Sequence, residues 1–422
     1  MSVARVLAIA PEPFFAPRGT PFSVYYRLLA MCEQGLTVDL LTYGEGWDVD
    51  IAGLRVIRIP QPAKLHPVRV GPSAAKAVLD VVLFVWTVGL LVRHRYGVVH
   101  AHEESVFFCL PLKPLFRFKL IYDMHSSLPE QLTNFGFTRS RILIGLFKLL
   151  EAASLRAADA VITISPALAD YARSRMPDPG RHFMIENSVV ATVRLKTRPA
   201  PDASVGVEPA AAVVEPAAVG TELVPAGALP PDLSPAVVYA GTFERYQGLD
   251  LLLEAFAKVL PKVPEARLVM IGGSADNVAS YRQLARQLGV AENCTMTGIV
   301  QPAEARRLIR SAQVLVSPRT RGTNTPLKIY EQLWSGVPLV ATRILAHTQV
   351  VSDDVCVLVE PTASGLADGI LRVLLDPGAA ARTAGRAREL YQAKYGWGPF
   401  TRSTLRVLAA VGAGPPASDS AS

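Results

Sequence analysis

Short, almost wholly apolar runs alternate with helical patterns along most of the chain, and this alternation limits the fold more than any other feature. In the first half the runs that read as strands include residues 5–10, 97–102 and 119–125. In the second half a similar series begins at Ala236. Continuous apolar strands separated by helices are typical of parallel sheets that are covered on both faces. The sequence therefore predicts two α/β domains.

The predicted domain boundaries follow changes in composition. Residues 1–190 form the first domain and residues 236–390 the second. Residues 191–235 are rich in Ala, Pro and Val without periodicity, which is typical of a linker or a surface insertion. A helix at 391–411 is expected to pack back toward the first domain, and residues 412–422 are expected to be a disordered tail.

The charge balance excludes some classes of partner. The 422 residues carry 43 Lys and Arg against 36 Asp and Glu, a net charge of +7. This excess suits anionic small molecules or lipids, and it is too thinly spread to indicate nucleic acid, for which no motif is present. The cysteines are isolated from one another, which indicates a reducing, cytoplasmic compartment. They are Cys32, Cys109, Cys294 and Cys356.

The most apolar stretch is residues 77–92, and it raises the question of a membrane. As a helix it would span about 24 Å, against about 30 Å of hydrocarbon. It also contains Asp80, and a carboxylate inside a bilayer is costly. We therefore expect no transmembrane helix here. A buried helix and a helix at the membrane interface remain as alternatives, because Lys76, Arg93 and Arg95 flank the stretch.

Several catalytic motifs are absent. No dinucleotide-binding glycine motif, P-loop or nucleophile elbow is present, which argues against dehydrogenases, P-loop NTPases and α/β-hydrolases. His100 and His102 lie on one face of a predicted strand and could bind a metal, but no third ligand follows from spacing. We predict a structural role for them and no metal site. Asp48 and Asp50 are interpreted as part of a solvated turn.

The segment 317–342 is the most informative part of the sequence. A strand runs into a loop of Gly, Thr and Asn, and a helix begins near Pro326, a residue suited to a first helical turn. Free backbone N–H groups and the helix dipole make such a start an anion site. Three basic residues surround it: Arg319, Arg321 and Lys328. Glu331 follows one turn inside the helix.

This segment, together with residues 239–256 and 158–171, resembles glycosyltransferase family 4. The resemblance rests on Pro-x-Lys-x-x-Glu followed by Ser-Gly-x-Pro, after Gly-Thr-Phe and Gly-Leu-Asp. It implies the GT-B fold, in which two Rossmann-like, doubly wound parallel-sheet domains face each other across a cleft. It also implies a hexosyltransferase-type enzyme (EC 2.4) that uses a nucleotide-diphosphate sugar, retains anomeric configuration and needs no cofactor or metal. Cell-envelope or exopolysaccharide synthesis is the implied pathway.

The resemblance assigns a donor site to the second domain. Glu331 would hold the ribose hydroxyls, because a carboxylate accepts two hydrogen bonds from a diol. The family has a second Glu where this chain has Thr323, and a cation pair where it has Thr242 and Gln247. Arg245, Lys328 and Arg319 are the alternatives for the substitute cation. The remaining predicted donor-binding residues are Lys328, Arg319, Arg321, Thr323, Asn324, Thr325, Gly241, Thr242, Gly272 and Gly298.

The resemblance assigns the acceptor side to the first domain. His125, in an Asp-x-His pattern, is the predicted catalytic residue, and Asp123 would orient that strand end. The loop containing Arg18, Gly19 and Thr20 would approach the diphosphate and the acceptor. The expected acceptor is a glycan or a lipid-linked sugar, with contact to an anionic membrane as an added partner. The inner face of the cytoplasmic membrane is then the alternative to a wholly cytoplasmic location.

Two other functions remain open at this point. A GT-B epimerase would convert the donor without an acceptor. A non-catalytic nucleotide-sugar-binding partner would bind donor without turnover, and the departures at Thr323, Thr242 and Gln247 motivate this reading.

Overall fold

A computed structural model describes residues 5–15, 19–66, 68, 73–129, 140–188, 235–300 and 302–413. These residues form two compact units. Unit 1 contains residues 5–188 and 397–413, and unit 2 contains residues 235–396. The predicted linker at 191–235 and the predicted tail at 412–422 lie almost wholly outside the described residues.

Unit 1 is built on a seven-stranded sheet with the strand order β3-β2-β1-β4-β5-β6-β7, and every pairing is parallel. The strands are β1 (Arg5–Ala10), β2 (Thr37–Thr42), β3 (Leu54–Arg58), β4 (Val98–His102), β5 (Lys119–Met124), β6 (Ala160–Thr163) and β7 (His182–Met184). The strand order reverses between β1 and β4, and such a switch point favours binding at the carboxyl ends of the strands.

Helices connect the strands of unit 1. They are α1 (Gly19–Glu33), α2 (Ala74–Arg93), α3 (Ser105–Phe116), α4 (Arg141–Ala157) and α5 (Pro166–Arg173). Serine side chains cap three of them by accepting from a backbone N–H group of the first turn: Ser73, Ser140 and Ser165. Serine is favoured at this position because its oxygen satisfies a donor that the helix leaves unpaired.

Helix α2 is longer than the sequence estimate. Its 20 residues span about 30 Å, so by length and composition alone it is apolar enough to cross a membrane, and it is the one described helix that passes this test. The estimate based on residues 77–92 was therefore too short. In unit 1 the helix buries Leu79, Leu83 and Leu90, and Asp80 accepts a 2.5 Å hydrogen bond from the Tyr43 hydroxyl. The opposite face is apolar and exposed.

Unit 2 contains a six-stranded parallel sheet with the order β10-β9-β8-β11-β12-β13. The strands are β8 (Ala236–Ala240), β9 (Arg267–Ile271), β10 (Cys294–Gly298), β11 (Val314–Ser317), β12 (Leu339–Thr342) and β13 (Val357–Val359). The helices are α6 (Leu249–Val259), α7 (Ala275–Gln287), α8 (Pro302–Arg310), α9 (Leu327–Ser335), α10 (Leu345–Thr348), α11 (Ala363–Leu375) and α12 (Pro377–Leu390).

The end of the chain differs from the single helix predicted at 391–411. A π-helical turn at Tyr391–Tyr395 closes unit 2, and after Gly396 a separate helix α13 (Trp397–Ala410) belongs to unit 1. Helix α13 packs on α1, where the Trp397 indole donates to the Glu33 carboxylate at 3.0 Å. The predicted pair of parallel-sheet α/β domains is confirmed by the two sheets.

Candidate functional site

Three glycines meet at the carboxyl ends of neighbouring strands in unit 2. Gly241 follows β8, Gly272 follows β9 and Gly298 ends β10. The Gly272 N–H donates to the Gly298 carbonyl at 2.9 Å, and a Cβ at Gly272 would overlap the Gly241 carbonyl oxygen. All three have positive φ, a conformation that favours glycine. Three residues predicted to bind donor are therefore brought together, and the close packing of Gly272 on Gly241 leaves no room for a side chain.

The loop after β8 is tied to the loop after β11. Gly248, at φ 69°, leaves no room for a Cβ beside the Pro318 carbonyl. The Thr320 N–H donates to the Tyr246 carbonyl at 2.9 Å. These contacts bring two segments of predicted donor-binding residues, 241–248 and 319–325, to one edge of the sheet.

The N-terminal end of helix α9 has the features of an anion-binding site. Its N-cap is Pro326, which supplies no side-chain hydrogen bond to the first turn. The first N–H groups of an uncapped helix have no intrahelical acceptor and carry the positive end of the helix dipole. The adjacent Thr325 hydroxyl is buried and has no hydrogen-bond partner within the described residues. The Ile329 N–H donates to the Pro326 carbonyl at 3.0 Å, whereas the Thr325 hydroxyl at the start of α9 is a donor that the described residues leave unused.

Lys328 lies in the first turn of α9. Its Nζ donates to Gln247 Oε1 at 2.9 Å and lies 4.4 Å from the centre of the Tyr239 ring. A Cβ at Gly241 would be 3.5 Å from this Nζ. Burial, with the Arg319 guanidinium nearby, lowers the pKa of Lys328 to about 7. The ammonium group therefore lies beside Gly241, which with Gly272 and Gly298 is called the glycine edge below. It has no anionic partner within the described residues.

Arg319, predicted to bind donor, makes several contacts within its own loop. Its Nε donates to the Arg321 carbonyl at 2.7 Å, its Nη1 donates to the Asn324 carbonyl at 3.3 Å, and its guanidinium lies 5.0 Å from the Tyr246 ring centre. A Cβ at Gly322 would overlap this guanidinium. Arg319 therefore holds the loop 319–325 in shape.

The other predicted donor residues occupy more open positions. Glu331 is exposed on α9, and Arg321 is exposed in the loop. Thr323 is exposed, and its carbonyl accepts from Gln349 Nε2 at 2.7 Å. The Thr242 carbonyl accepts from the Tyr239 hydroxyl at 2.7 Å. The Arg245 side chain is exposed and makes no hydrogen bond or ion pair to the described part of the chain, and its carbonyl accepts from the Gly248 N–H at 3.2 Å.

Sequence reasoning missed the residues that support this edge. Tyr239 supplies the ring beneath Lys328, and Gln349 holds the backbone at Thr323. His347 is fully buried and bridges Ser317 Oγ at 3.0 Å to the Thr342 carbonyl at 2.7 Å. Burial lowers the pKa of His347 to about 4, so it acts as a neutral spacer. Only tertiary contacts reveal these roles, because the partners are far apart in sequence.

A second polar group lies in unit 1, on adjacent strands. The rings of His100 and His102 on β4 stack with centroids 4.5 Å apart. On β5, Asp123 Oδ2 is 3.0 Å from His100 Nε2, and just beyond the strand His125 Nε2 is 3.1 Å from His102 Nδ1. Arg27 of α1 donates its Nε to Asp123 Oδ2 at 3.1 Å. All five side chains are buried.

The electrostatics of this group keep Asp123 ionised. Burial alone would raise its carboxyl pKa, but the Arg27 guanidinium and the neighbouring histidines hold the pKa of Asp123 well below its usual range. Burial lowers the pKa of His102 and of His125, and Arg27 acts in the same direction. Asp123 and Arg27 therefore form a buried ion pair, and these two imidazoles are neutral.

The same residues raise the question of a metal. Potential ligand atoms of His100, His102 and Asp123 lie within 4.8 Å of one another, so Asp123 is the third donor that spacing did not reveal. The carboxylate, however, already binds the Arg27 guanidinium, and a cation there would meet a positive charge. The arrangement suits a hydrogen-bonded cluster better than a metal centre.

The loop that carries His125 is anchored by Glu151 of α4. Glu151 is 1% exposed and accepts from Ser127 Oγ and from the Leu128 N–H, each at 3.2 Å, and from the Tyr171 hydroxyl. Elsewhere in unit 1, Asn187 Oδ1 accepts from Ser23 Oγ at 2.7 Å.

The predicted diphosphate and acceptor loop is only partly described. Arg18 lies outside the described residues, and Gly19 and Thr20 begin α1.

Two family models match the chain. The model described as glycosyl transferase 4-like domain matches residues 24–188, and that described as glycosyl transferases group 1 matches residues 225–390. Among curated relatives, a phosphatidyl-myo-inositol mannosyltransferase of Mycobacterium tuberculosis is 29% identical over 184 residues. That match covers 42% of this chain and 47% of the relative, so the chain spans less than half the length of this relative.

Solved structures are similar in fold over nearly the whole chain. Sucrose-phosphate synthase from Thermosynechococcus elongatus has a TM-score of 0.73 at 21% identity, covering 97% of this chain and 99% of that one. Anabaena HepE in complex with UDP-glucose has a TM-score of 0.64 at 14% identity, covering 96% and 99%. These similarities, with the two parallel sheets, identify a two-domain Rossmann-like GT-B fold.

Proposed function

Since the chain belongs to the family 4-type glycosyltransferases of GT-B fold, we propose that it is a hexosyltransferase acting on a nucleotide-diphosphate sugar. The observation that carries this proposal is the uncapped start of α9 beside Lys328 and the glycine edge. A diphosphate carries the negative charge that a helix start and a neighbouring ammonium group bind. HepE, which shares the fold, binds UDP-glucose, and this supports a nucleotide sugar as the donor class.

The proposed reaction breaks the bond between the sugar and the diphosphate. The N–H groups at the start of α9 and the Lys328 ammonium stabilise the charge that develops on the departing diphosphate. Glu331 accepts hydrogen bonds from the ribose hydroxyls, which its exposed position on α9 permits. The protein supplies these charges from its own groups, so we propose a reaction that needs no metal ion or cofactor.

The acceptor side of the proposed reaction lies in unit 1. His125 is proposed as the catalytic residue, donating a hydrogen bond to a hydroxyl of the transferred sugar. The sugar keeps its anomeric configuration in this proposal, with attack on the face that the diphosphate leaves and with the acceptor proton passing to the leaving phosphate. The proposed products are a glycoside and a free nucleoside diphosphate. The glycoside would serve cell-envelope or exopolysaccharide synthesis.

Turnover of a panel of UDP-, GDP- and ADP-sugars tests this proposal. The purified chain is incubated with each donor and an acceptor extract containing lipids, and nucleoside diphosphate release and product linkage are followed by NMR. We expect one nucleotide class to be consumed, a product with the donor's anomeric configuration, and no effect of a chelator. His125→Ala should lower turnover at least tenfold, whereas His94→Ala, in the same unit, serves as the control.

Other results would favour the alternatives. Donor conversion without an acceptor would indicate an epimerase. Nucleotide binding without any turnover, unchanged by His125→Ala, would indicate a non-catalytic binding partner, the reading that Thr323 in place of a carboxylate motivates. An inverted product would contradict retention while leaving transfer itself in place.

A lipid-linked acceptor is favoured by the surface of unit 1. Helices α2 and α4 both pack against α3, and they expose large apolar side chains. These are Val78, Val81, Val85, Trp86 and Val92 on α2, and Ile142, Leu146 and Leu149 on α4. Basic residues flank them: Arg93, Arg141 and Lys148. Apolar side chains rimmed by cations suit the interface of an anionic bilayer.

This surface leads to a proposed location. We propose that the protein works in the cytoplasm at the inner face of the membrane. A curated relative that acts on phosphatidyl-myo-inositol supports a lipid acceptor. The four unpaired cysteines suit the reducing compartment.

A further inference from the structure

His102 and His125 share a hydrogen bond whose proton belongs to one ring or to the other. His102 Nδ1 and His125 Nε2 are 3.1 Å apart, which is a hydrogen-bond distance. Both imidazoles are neutral, so a single proton lies between these two nitrogens. Which ring carries that proton decides which nitrogen of His125 can act as a donor.

Asp123 fixes the first ring of the cluster. Its carboxylate is ionised and accepts from the Arg27 guanidinium and from His100 Nε2 at 3.0 Å. His100 therefore donates from Nε2, and its buried Nδ1 has no partner within the described residues. Asp123 also lies 3.7 Å from His102 Nδ1 and 3.5 Å from His125 Nε2, so it faces both nitrogens of the shared proton.

The far nitrogen of His102 distinguishes the two arrangements. His102 Nε2 is buried and has no hydrogen-bond partner among the described residues. If His125 donated to His102, the His102 proton would sit on this Nε2 as a buried N–H without an acceptor, a group that proteins rarely tolerate. If His102 donates instead, Nε2 is a bare lone pair, which is the less costly state.

We propose that His102 is a positioning residue that donates its Nδ1–H to His125 Nε2 and thereby fixes the His125 proton on Nδ1. The proposal rests on the proposed function, because its purpose is to make Nδ1–H the donor that His125 offers to the sugar. Arg27 keeps the Asp123 carboxylate ionised, and this carboxylate in turn accepts from the His100 ring that stacks on His102. A second ring that sets the tautomer of the first is the role that a partner of a catalytic histidine ordinarily has.

Nitrogen NMR on ¹⁵N-histidine-labelled protein reads the tautomers directly, without any substrate. The chain has seven histidines, so the His125 signal is assigned by its loss in His125→Asn. We expect the wild-type signal to show the Nδ1–H form. His102→Phe should shift it toward the Nε2–H form. His102→Asn should preserve Nδ1–H, because the Asn side-chain amide places an N–H donor close to the position of the histidine Nδ1.

Activity then tests whether the tautomer matters to transfer. His102→Phe is expected to lower kcat roughly fivefold to tenfold with little change in KM for the donor, which binds unit 2. His102→Asn should recover most of the lost rate, and His94→Phe is the control for a ring replacement elsewhere in unit 1.

Two results would overturn the proposal, and they separate it from the proposed function. A wild-type His125 in the Nε2–H form would contradict the assignment even if His102→Phe failed to fold. If His102→Phe shifted the tautomer but kept the wild-type kcat, the tautomer of His125 would have no effect on transfer, contrary to the proposal. The expected NMR pattern in a protein that transfers no sugar would instead contradict the proposed function.

Discussion

Lys328 places its Nζ 2.9 Å from Gln247 Oε1 and 4.4 Å from the Tyr239 ring centre, so its charge rests on an amide and an aromatic face. No carboxylate pairs with this ammonium group among the described residues. Together with burial and the nearby Arg319, this setting explains why its pKa falls to about 7. A bound diphosphate would favour the charged form, and that gives binding a pH dependence.

The first prediction concerns proton uptake. Above pH 7 the free Lys328 amine is largely neutral and must gain a proton to meet the diphosphate, so binding takes up protons and weakens as pH rises from about 7 to 9. Calorimetry in two buffers of different ionisation enthalpy measures this uptake. Lys328→Met should remove it, whereas the exposed Lys258→Met should not. Identical uptake in wild type and Lys328→Met would contradict the assignment.

The second prediction concerns the glycine edge. Gly272→Ala should lower the free energy of unfolding by more than about 2 kcal/mol, because its Cβ would overlap the Gly241 carbonyl at φ 115°. Gly289→Ala is the matched control, since Gly289 has φ 72° but no atom within 4 Å of its Cβ position. It should cost about 1 kcal/mol. Urea denaturation followed by circular dichroism measures both, and equal losses would refute the steric argument.

The third prediction concerns the buried ion pair of unit 1. Arg27→Met should lower the free energy of unfolding by about 3–5 kcal/mol, because it leaves the Asp123 carboxylate buried without its cation. Arg307→Met, at an exposed ion pair with Glu304, should cost less than about 0.5 kcal/mol.

The pH dependence of that loss has a definite sign. The pKa of Asp123 is lowered in the folded state, so its stabilising contribution is present above the unfolded pKa near 4 and is lost as pH falls through the folded value. The difference between wild type and Arg27→Met should therefore shrink in acid. Denaturation at pH 7 and pH 3 measures the change, and a difference that grows toward pH 3 would argue against an ionised Asp123.

The fourth prediction concerns the apolar surface of α2. The double variant Val81→Glu, Val85→Glu should lose binding to vesicles of anionic phospholipid, because two charges would replace exposed apolar side chains. Leu375→Glu, at an equally exposed apolar position in unit 2, should bind as wild type does. Vesicle flotation at low and moderate salt measures this. Unchanged flotation of the double variant would exclude this surface as the contact.

Local patterns were sufficient to predict much of the fold. The strands of both sheets appear as apolar runs such as residues 5–10 and 236–240, because strands buried on both faces need little polar surface. The start of α9 was predicted within a residue, although Pro326 is the N-cap rather than the first helical residue. The length of α2 was underestimated because the helix extends beyond the apolar residues 77–92. It begins at Ala74, after the Ser73 cap, and ends at Arg93.

Long-range partners could not be predicted in the same way. Arg27 meets Asp123 across 96 residues and Thr404 across 377, and nothing in the local sequence indicates either contact. The same is true of Gln247 and Lys328, which are 81 residues apart. Arg319 is predicted to bind donor because it is basic and near the helix start. Its hydrogen bonds to the carbonyls of its own loop depend on backbone shape, so the local sequence does not indicate them.

Unit 2 is proposed to bind a nucleotide-diphosphate sugar, with Glu331 accepting from the ribose hydroxyls. Calorimetric titration of wild type, Glu331→Ala and Glu254→Ala with UDP-, GDP- and ADP-sugars tests it most directly, since Glu254 is an exposed helical carboxylate of the same unit. We predict that one nucleotide class binds and that Glu331→Ala weakens it roughly tenfold to 150-fold, the loss expected for a charged hydrogen bond, with Glu254→Ala unchanged. Equal affinity in all three proteins would contradict the account.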